Sequence, residues 1–243
     1  MQDNKGSNLG KGLSSLLKEN NIDNIVDFSE TKNKVRVLQN NYSQCFYGRK
    51  RLQYQKIATA NADRSYNQNI GIILMGYISN IFMFPIPKFI SEIKKIDIDG
   101  VLVVDAPHEL KEENTLREGL NKNKIDFIKL VAPTTPDERL KKICEIGSGY
   151  IYCLNYSGTS GIKSANLNQV KDLVKKIKKH TNLPVCSGFG IKTPNDAKEI
   201  ASTGVEGVIV GTTLVDYIEK NLNDTNLSKN LGKKIKEFTN KLN

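Results

Sequence analysis

An α/β fold built on a parallel sheet is what this sequence predicts, and two observations predict it. Six short, almost continuously apolar runs recur from residue 70 onward: "IGIILMGY" (70–77), "DGVLVVDA" (99–106), "DFIKLVAP" (126–133), "YIYCLN" (150–155), "LPVCSGFG" (183–190) and "EGVIVG" (206–211). Each is followed by an amphipathic, helix-like stretch. Short runs with so little polar alternation are what strands buried on both faces show, and a helical crossover is what joins parallel neighbours. The alternation fits two architectures, an open doubly wound sheet and a closed eight-stranded barrel. A third observation separates them. Three of the runs end in turns of small residues, and barrels often hold phosphate with the loops after their last two strands and the start of a short extra helix. The expected fold is therefore a (β/α)8 barrel, irregular or incomplete in its first two β-α units.

Residues 1–69 carry that irregularity. They offer one possible strand (Ile22 to Phe28), a second short one (Val35 to Leu38), and then a polar stretch, residues 42–69, without periodicity. The chain accordingly divides into a divergent segment, 1–69, and a barrel portion, 70–243. Unless residues 1–69 complete the ring, two strand edges stay open and stability is low. Further on, helix starts are signalled chemically. "TTPDERLKKI" places Thr135 as a cap, Pro136 in the first turn and Glu138 three residues after the cap; "KTPNDAKEI" repeats the Thr-Pro device with Thr193 and Pro194. The closing "SKNLGKKIKEFTNKLN" puts Leu231, Ile235, Phe238 and Leu242 on one helical stripe.

Bulk properties narrow the function. A chain of 243 residues suits one α/β domain, or a domain plus an arm. The net charge of +10 comes mostly from lysines spread over helix faces and the C-terminal tail, with no arginine-aromatic cluster, so nucleic acid is not an expected partner. Cys45, Cys144, Cys153 and Cys186 stand singly, without a CxxC or a Cys/His cluster; neither a metal nor a disulfide is expected, and a reducing cytoplasm fits. No apolar run approaches the roughly 18 residues a membrane span needs. A cytoplasmic protein is expected.

The small-residue turns carry the chemistry. They are Ser157-Gly158-Thr159-Ser160-Gly161, then Ser187-Gly188-Phe189-Gly190, then Gly211-Thr212-Thr213. All three follow strands at the end where parallel α/β folds bind ligands. Without a Cβ, backbone N–H groups can approach an anion, and a helix starting at Thr212 adds the positive end of its dipole. One such turn is ordinary strand punctuation; three in succession describe a phosphate cup. No GxGxxG follows the first strand of a β-α-β unit, so a dinucleotide is a poor candidate and no cofactor is expected.

On "ILMGY", "VLVVDAPHE", "LVAPTTPDERL", "GYIYCLNYSGTSG", "LPVCSGFGIKTPNDA" and "GVIVGTTLV", in this order, residues 70–222 resemble the α subunit of tryptophan synthase. The resemblance implies a barrel that cleaves indole-3-glycerol phosphate by a retro-aldol step to indole and glyceraldehyde 3-phosphate, and a β subunit that receives the indole. It implies that Gly161, Gly188, Gly190, Gly211 and Thr212 hold the substrate phosphate, that Tyr152 lines the substrate pocket, and that Asp105 and Pro107 face the β subunit. The chain departs from the family's pattern at Ser160, where threonine is usual, and at Ser79 and Asn80, where Asn-Pro is usual. His108, one of two histidines, is read as a surface residue.

The family's two early acid/base carboxylate motifs are absent. In the nearest stretch, "NIDNIVDFSETKN", Asp23 stands for the expected glutamate and Lys34 falls near the place of the second acid, so no catalytic residue is assigned. A non-catalytic phosphate-binding protein, or an activator of the β subunit, is the alternative this leaves. Separately, "NLGKGLSSLLKENN" (8–21) resembles the extreme N-terminus of the ParB chromosome-partition family, which would imply an adaptor arm.

Overall fold

A computed structural model describes residues 71–82, 84–104, 111–154, 167–188 and 190–242. Among these, each apolar run forms a strand: β1 (Ile73–Gly76), β2 (Gly100–Val103), β3 (Asp126–Val131), β4 (Ile151–Cys153), β5 (Val185–Ser187) and β6 (Gly207–Val208). The strands are shorter than the runs because the last apolar residues belong to the turns. The helices are α1 (Ile78–Phe82), α2 (Ile86–Lys95), α3 (Lys111–Lys122), α4 (Asp137–Ile146), α5 (Leu167–Lys178), α6 (Pro194–Ala201), α7 (Thr212–Lys220) and α8 (Leu227–Leu242).

Every pairing is parallel and joins sequential strands, giving the order β1-β2-β3-β4-β5-β6. A doubly wound sheet reverses its order at a switch point. No reversal occurs here, and crossovers of one hand that always advance the same way keep every helix on one face. That is the winding of a barrel wall, as the small-residue turns predict.

Strand parity confirms two faces. Ile73, Leu102, Ile128, Tyr150, Tyr152, Cys186 and Ile209 form one continuous buried layer, extended by Met75, Val104, Leu130 and Leu154. Their neighbours in sequence face the helices: Val101, Val103 and Phe127 pack with Ile90, Ile93, Leu116 and Leu120 of α2 and α3, while Val131, Ile151, Cys153 and Val185 pack with α4 and α5. Truncating any of the fully buried aliphatic residues to alanine costs about 2–5 kcal/mol. Cys144, Cys153 and Cys186 are buried free thiols serving as small apolar groups.

The N-terminal ends of the strands are clipped by side chains. Asp99 accepts from the Ile72 N–H at 2.6 Å, the Ser148 hydroxyl from Phe127 at 2.8 Å and Glu206 from Val185 at 2.7 Å. Lys178 of α5 closes the last clip by donating to Glu206 at 2.5 Å and to the Leu183 carbonyl at 3.0 Å.

Two expectations need correction. Pro136, not Thr135, is the residue before α4, and it has no side-chain cap. The Thr135 hydroxyl is engaged elsewhere, accepting from the Ala132 N–H at 3.0 Å to close the preceding turn. The stripe on α8 is also only partly right. Phe238 is buried against Ala197 and Ile200 of α6, Leu231 and Ile235 are half-buried and Leu242 is exposed, while Leu227, Ser228 and Gly232 are the other buried residues of the helix.

Candidate functional site

The C-terminal ends of β4, β5 and β6 bring the described site residues to one rim. β4 sends Tyr152 into the inner layer, 2% exposed, its hydroxyl buried and without a hydrogen-bond partner among the described residues. One turn of the pleat earlier, Tyr150 does the same, 1% exposed and also unpartnered. Burial, with smaller contributions from Cys153 and Cys186, pushes the Tyr152 phenol up to about 12. It stays neutral at physiological pH and can donate one hydrogen bond to a ligand. Tyr150 was legible only in hindsight: it shares the parity of Tyr152 in "YIY".

At the end of β5, glycine is required at two positions for different reasons. A Cβ on Gly188 would sit 2.2 Å from the Ile209 carbonyl oxygen and 2.4 Å from its Cβ, so the approach of β6 alone forbids a side chain. Gly190 has φ +77°, and among the described residues no atom lies within 4 Å of where its Cβ would lie. The left-handed backbone selects glycine there.

β6 leads into α7, with Gly211 at the N-cap and Thr212 as first helical residue. Gly211 offers no side-chain cap, and the first turn carries no acidic residue. The helix start therefore presents the positive end of its dipole uncompensated by a carboxylate of its own, which is the condition for anion binding. Thr213 donates to the Ile191 carbonyl at 2.6 Å, and the Ile209 N–H donates to Ser187 at 2.9 Å, so the turns after β5 and β6 are fastened side by side.

The helix after β5 differs. Thr193 caps α6 by accepting from the Asp196 N–H at 3.2 Å, while Asp196 accepts from Thr193 at 2.8 Å and Lys192 at 2.9 Å. Partial burial works against the Asp196 carboxylate, but those donors outweigh it and hold it below the ordinary aspartate range. This helix start is satisfied from within.

Cysteine chemistry finds no support. Burial raises Cys153 and Cys186 to about 12 and Cys144 to about 11, so none is a thiolate near neutral pH. Gly161, Asp105, Pro107, His108, Asp23, Lys34 and the arm at 8–21 lie outside the described residues. Among the described residues no helix is long and apolar enough to cross a membrane.

Similar proteins carry the same fold. The tryptophan synthase A-subunit of the hyperthermophile Pyrococcus furiosus superposes with a TM-score of 0.73 at 24% identity, covering 95% of this chain and 92% of that one. A structure from Aquifex aeolicus VF5 gives 0.70 at 24%, covering 95% and 87%. A mutant tryptophan synthase alpha-subunit from Pyrococcus furiosus gives 0.66 at 27%, covering 81% and 76%. The family described as tryptophan synthase alpha chain matches residues 37–243, taking in residues 37–69 as well as the motifs at 70–222. With the match spanning most of the sequence and the same barrel winding in these neighbours, the chain belongs to the tryptophan synthase alpha chain family.

Proposed function

We propose that the chain binds indole-3-glycerol phosphate and cleaves it to indole and glyceraldehyde 3-phosphate, with the phosphate held at the turns after β4, β5 and β6. The observation that carries this reading is the α7 start: no side-chain cap, no acid in its first turn, and the left-handed Gly190 in the turn fastened beside it. In this role Gly188, Gly190, Gly211, Thr212 and Gly161 surround the phosphate, and Tyr152 donates a hydrogen bond inside the barrel. The retro-aldol step breaks one C–C bond, takes a proton from the glycerol hydroxyl and delivers one to the indole ring carbon. Those transfers need acid/base groups from outside the described residues. The chain works in the cytoplasm with a β subunit that takes the indole, facing it through Asp105 and Pro107.

A second reading is a non-catalytic activator of the β subunit, since the sequence lacks the family's two early acid/base carboxylate motifs. Indole release from indole-3-glycerol phosphate, measured with and without the β subunit for wild type, Tyr152→Phe and Asp23→Ala, separates the two. Indole formation slowed in Tyr152→Phe supports the lyase. No indole, with stimulation of the β reaction retained, leaves the activator. Neither activity overturns both.

A further inference from the structure

Helix α3 turns one stripe toward the sheet, and its buried residues are Glu113, Leu116 and Leu120. Steps of three and four residues are those of an amphipathic helix, so Glu113 occupies a place where the pattern calls for an apolar side chain. The strand opposite carries the same anomaly with the other sign. Lys129 lies on β3 in the helix-facing parity of Phe127 and Val131, and is 3% exposed. Glu113 is 1% exposed, and the two side chains form a buried, hydrogen-bonded ion pair. The Lys129 ammonium also sits 4.8 Å from the centre of the Phe127 ring.

Such a pair is a poor way to make a fold stable. Taking two charges out of water offsets most of what their attraction gives, and two apolar side chains of similar volume hold a junction as well or better. What the pair adds is direction. Leu116 and Leu120 share a cluster with Val101, Val103 and Phe127 through non-directional contacts, which a helix shifted along the sheet can exchange for others. A buried carboxylate cannot leave its ammonium without stranding both charges. Among the described residues the other side-chain hydrogen bonds of this helix, Thr115 to Lys111, Arg117 to Asn114 and Asn123 to Gly119, run within it or its C-terminal turn. They fix nothing against the sheet.

We infer that Glu113 and Lys129 are positioning residues, fixing where along β3 the helix α3 begins and so where the chain entering it is delivered to the β subunit. Glu113 stands in the first turn of α3, and helix starts lie at the C-terminal rim of a parallel sheet, where ligands and partners are met. Asp105 and Pro107, which face the β subunit in the proposed function, come shortly before that turn in sequence. A slip of α3 by one helical turn carries the end of this segment about 5.4 Å along the sheet, more than a docked contact tolerates. The inference rests on that proposed partner contact and adds the device that sets it.

The test replaces both charges by apolar groups of similar volume, Glu113→Leu with Lys129→Met, in the full chain. Urea unfolding should show a midpoint equal to or above that of wild type. Calorimetric titration with the β subunit should show an affinity about tenfold weaker, an effect exerted by residues remote from the contact. Amide hydrogen exchange, which needs no partner, should be about tenfold faster at Thr115 and Leu116 and unchanged at Phe127 and Ile128. A double variant that does not fold would show that the pair serves stability and overturn the inference. So would unchanged exchange at Thr115 and Leu116, or a β-subunit affinity equal to wild type. Absence of β-subunit binding by the wild type itself would overturn the proposed partner and this inference together, an outcome distinct from equal binding by both proteins.

Discussion

Helices α6 and α7 start within twenty residues of one another, on adjacent strands of the same sheet, and solve the same problem in opposite ways. Each has backbone N–H groups at its first turn with no intrahelical acceptor. α6 meets the need with its own sequence, Thr193 and Asp196 forming a reciprocal capping box. α7 begins at a glycine with no side chain to offer and has no acid in its first turn. The contrast teaches where a ligand belongs. A helix start with its own capping box has little left for an anion, while one without a side-chain cap or an acid in its first turn is better placed to receive one.

The largest way to break the contrast is Gly188→Val. Its branched side chain would meet the Ile209 backbone, so β5 and β6 would have to part and the two junctions would no longer lie side by side. The expected loss is more than about 3 kcal/mol, beyond ordinary overpacking because the obstacle is backbone, and it should show in urea unfolding.

Alkaline titration probes the inner layer beneath the junctions. Tyr152 has a folded pKa of about 12, above the ordinary tyrosine value of 10.0. Its contribution is therefore intact below about pH 10 and is lost as pH rises through 12, because the unfolded chain releases the proton first. On the order of 1.4 kcal/mol per pH unit is expected for such a group inside that window. The Tyr152 share of phenolate absorbance at 295 nm, taken as the difference between wild type and Tyr152→Phe, should rise with unfolding and not before it.

Thr193→Ala sharpens the comparison most cleanly. Removing the cap should cost about 1 kcal/mol of stability and leave sugar-phosphate affinity unchanged, measured by thermal unfolding and by calorimetric titration. The smallest effect concerns acid. Because the Asp196 carboxylate titrates below its ordinary value, its contribution is present above about pH 4 and disappears as pH falls through the depressed folded pKa; Thr193→Ala should blunt this acid sensitivity.

Much of this architecture was legible in the sequence. The six apolar runs each form a strand of one parallel sheet, as read, but in runs apolar throughout only the packing tells that Leu102 and Tyr152 face inward and Val101, Val103 and Cys153 outward. The glycine turns marked the ends of β5 and β6, where the two junctions are fastened side by side. The two Thr-Pro starts, however, look alike in letters and differ in space, since Thr135 spends its hydroxyl on Ala132 while Thr193 keeps its own for the helix. Local pattern does not reveal which donor a hydroxyl meets first. Nor could it pair Lys129 with Glu113. The signal was there, a lysine at helix-facing parity in the apolar strand "DFIKLV", but its partner lies 16 residues away on another element and only the packing of α3 on β3 joins them.

Gly211→Asp tests the central claim directly. Gly211 combines φ −111° with ψ −87°, away from the extended backbone of the capping residue Thr193, so aspartate there must turn ψ to cap α7, and its carboxylate places negative charge at the helix start. In a folded Gly211→Asp protein, glycerol 3-phosphate binding, followed at the Thr213 amide, should weaken at least tenfold. Unchanged affinity in a folded Gly211→Asp protein would show that the start of α7 does not hold the phosphate.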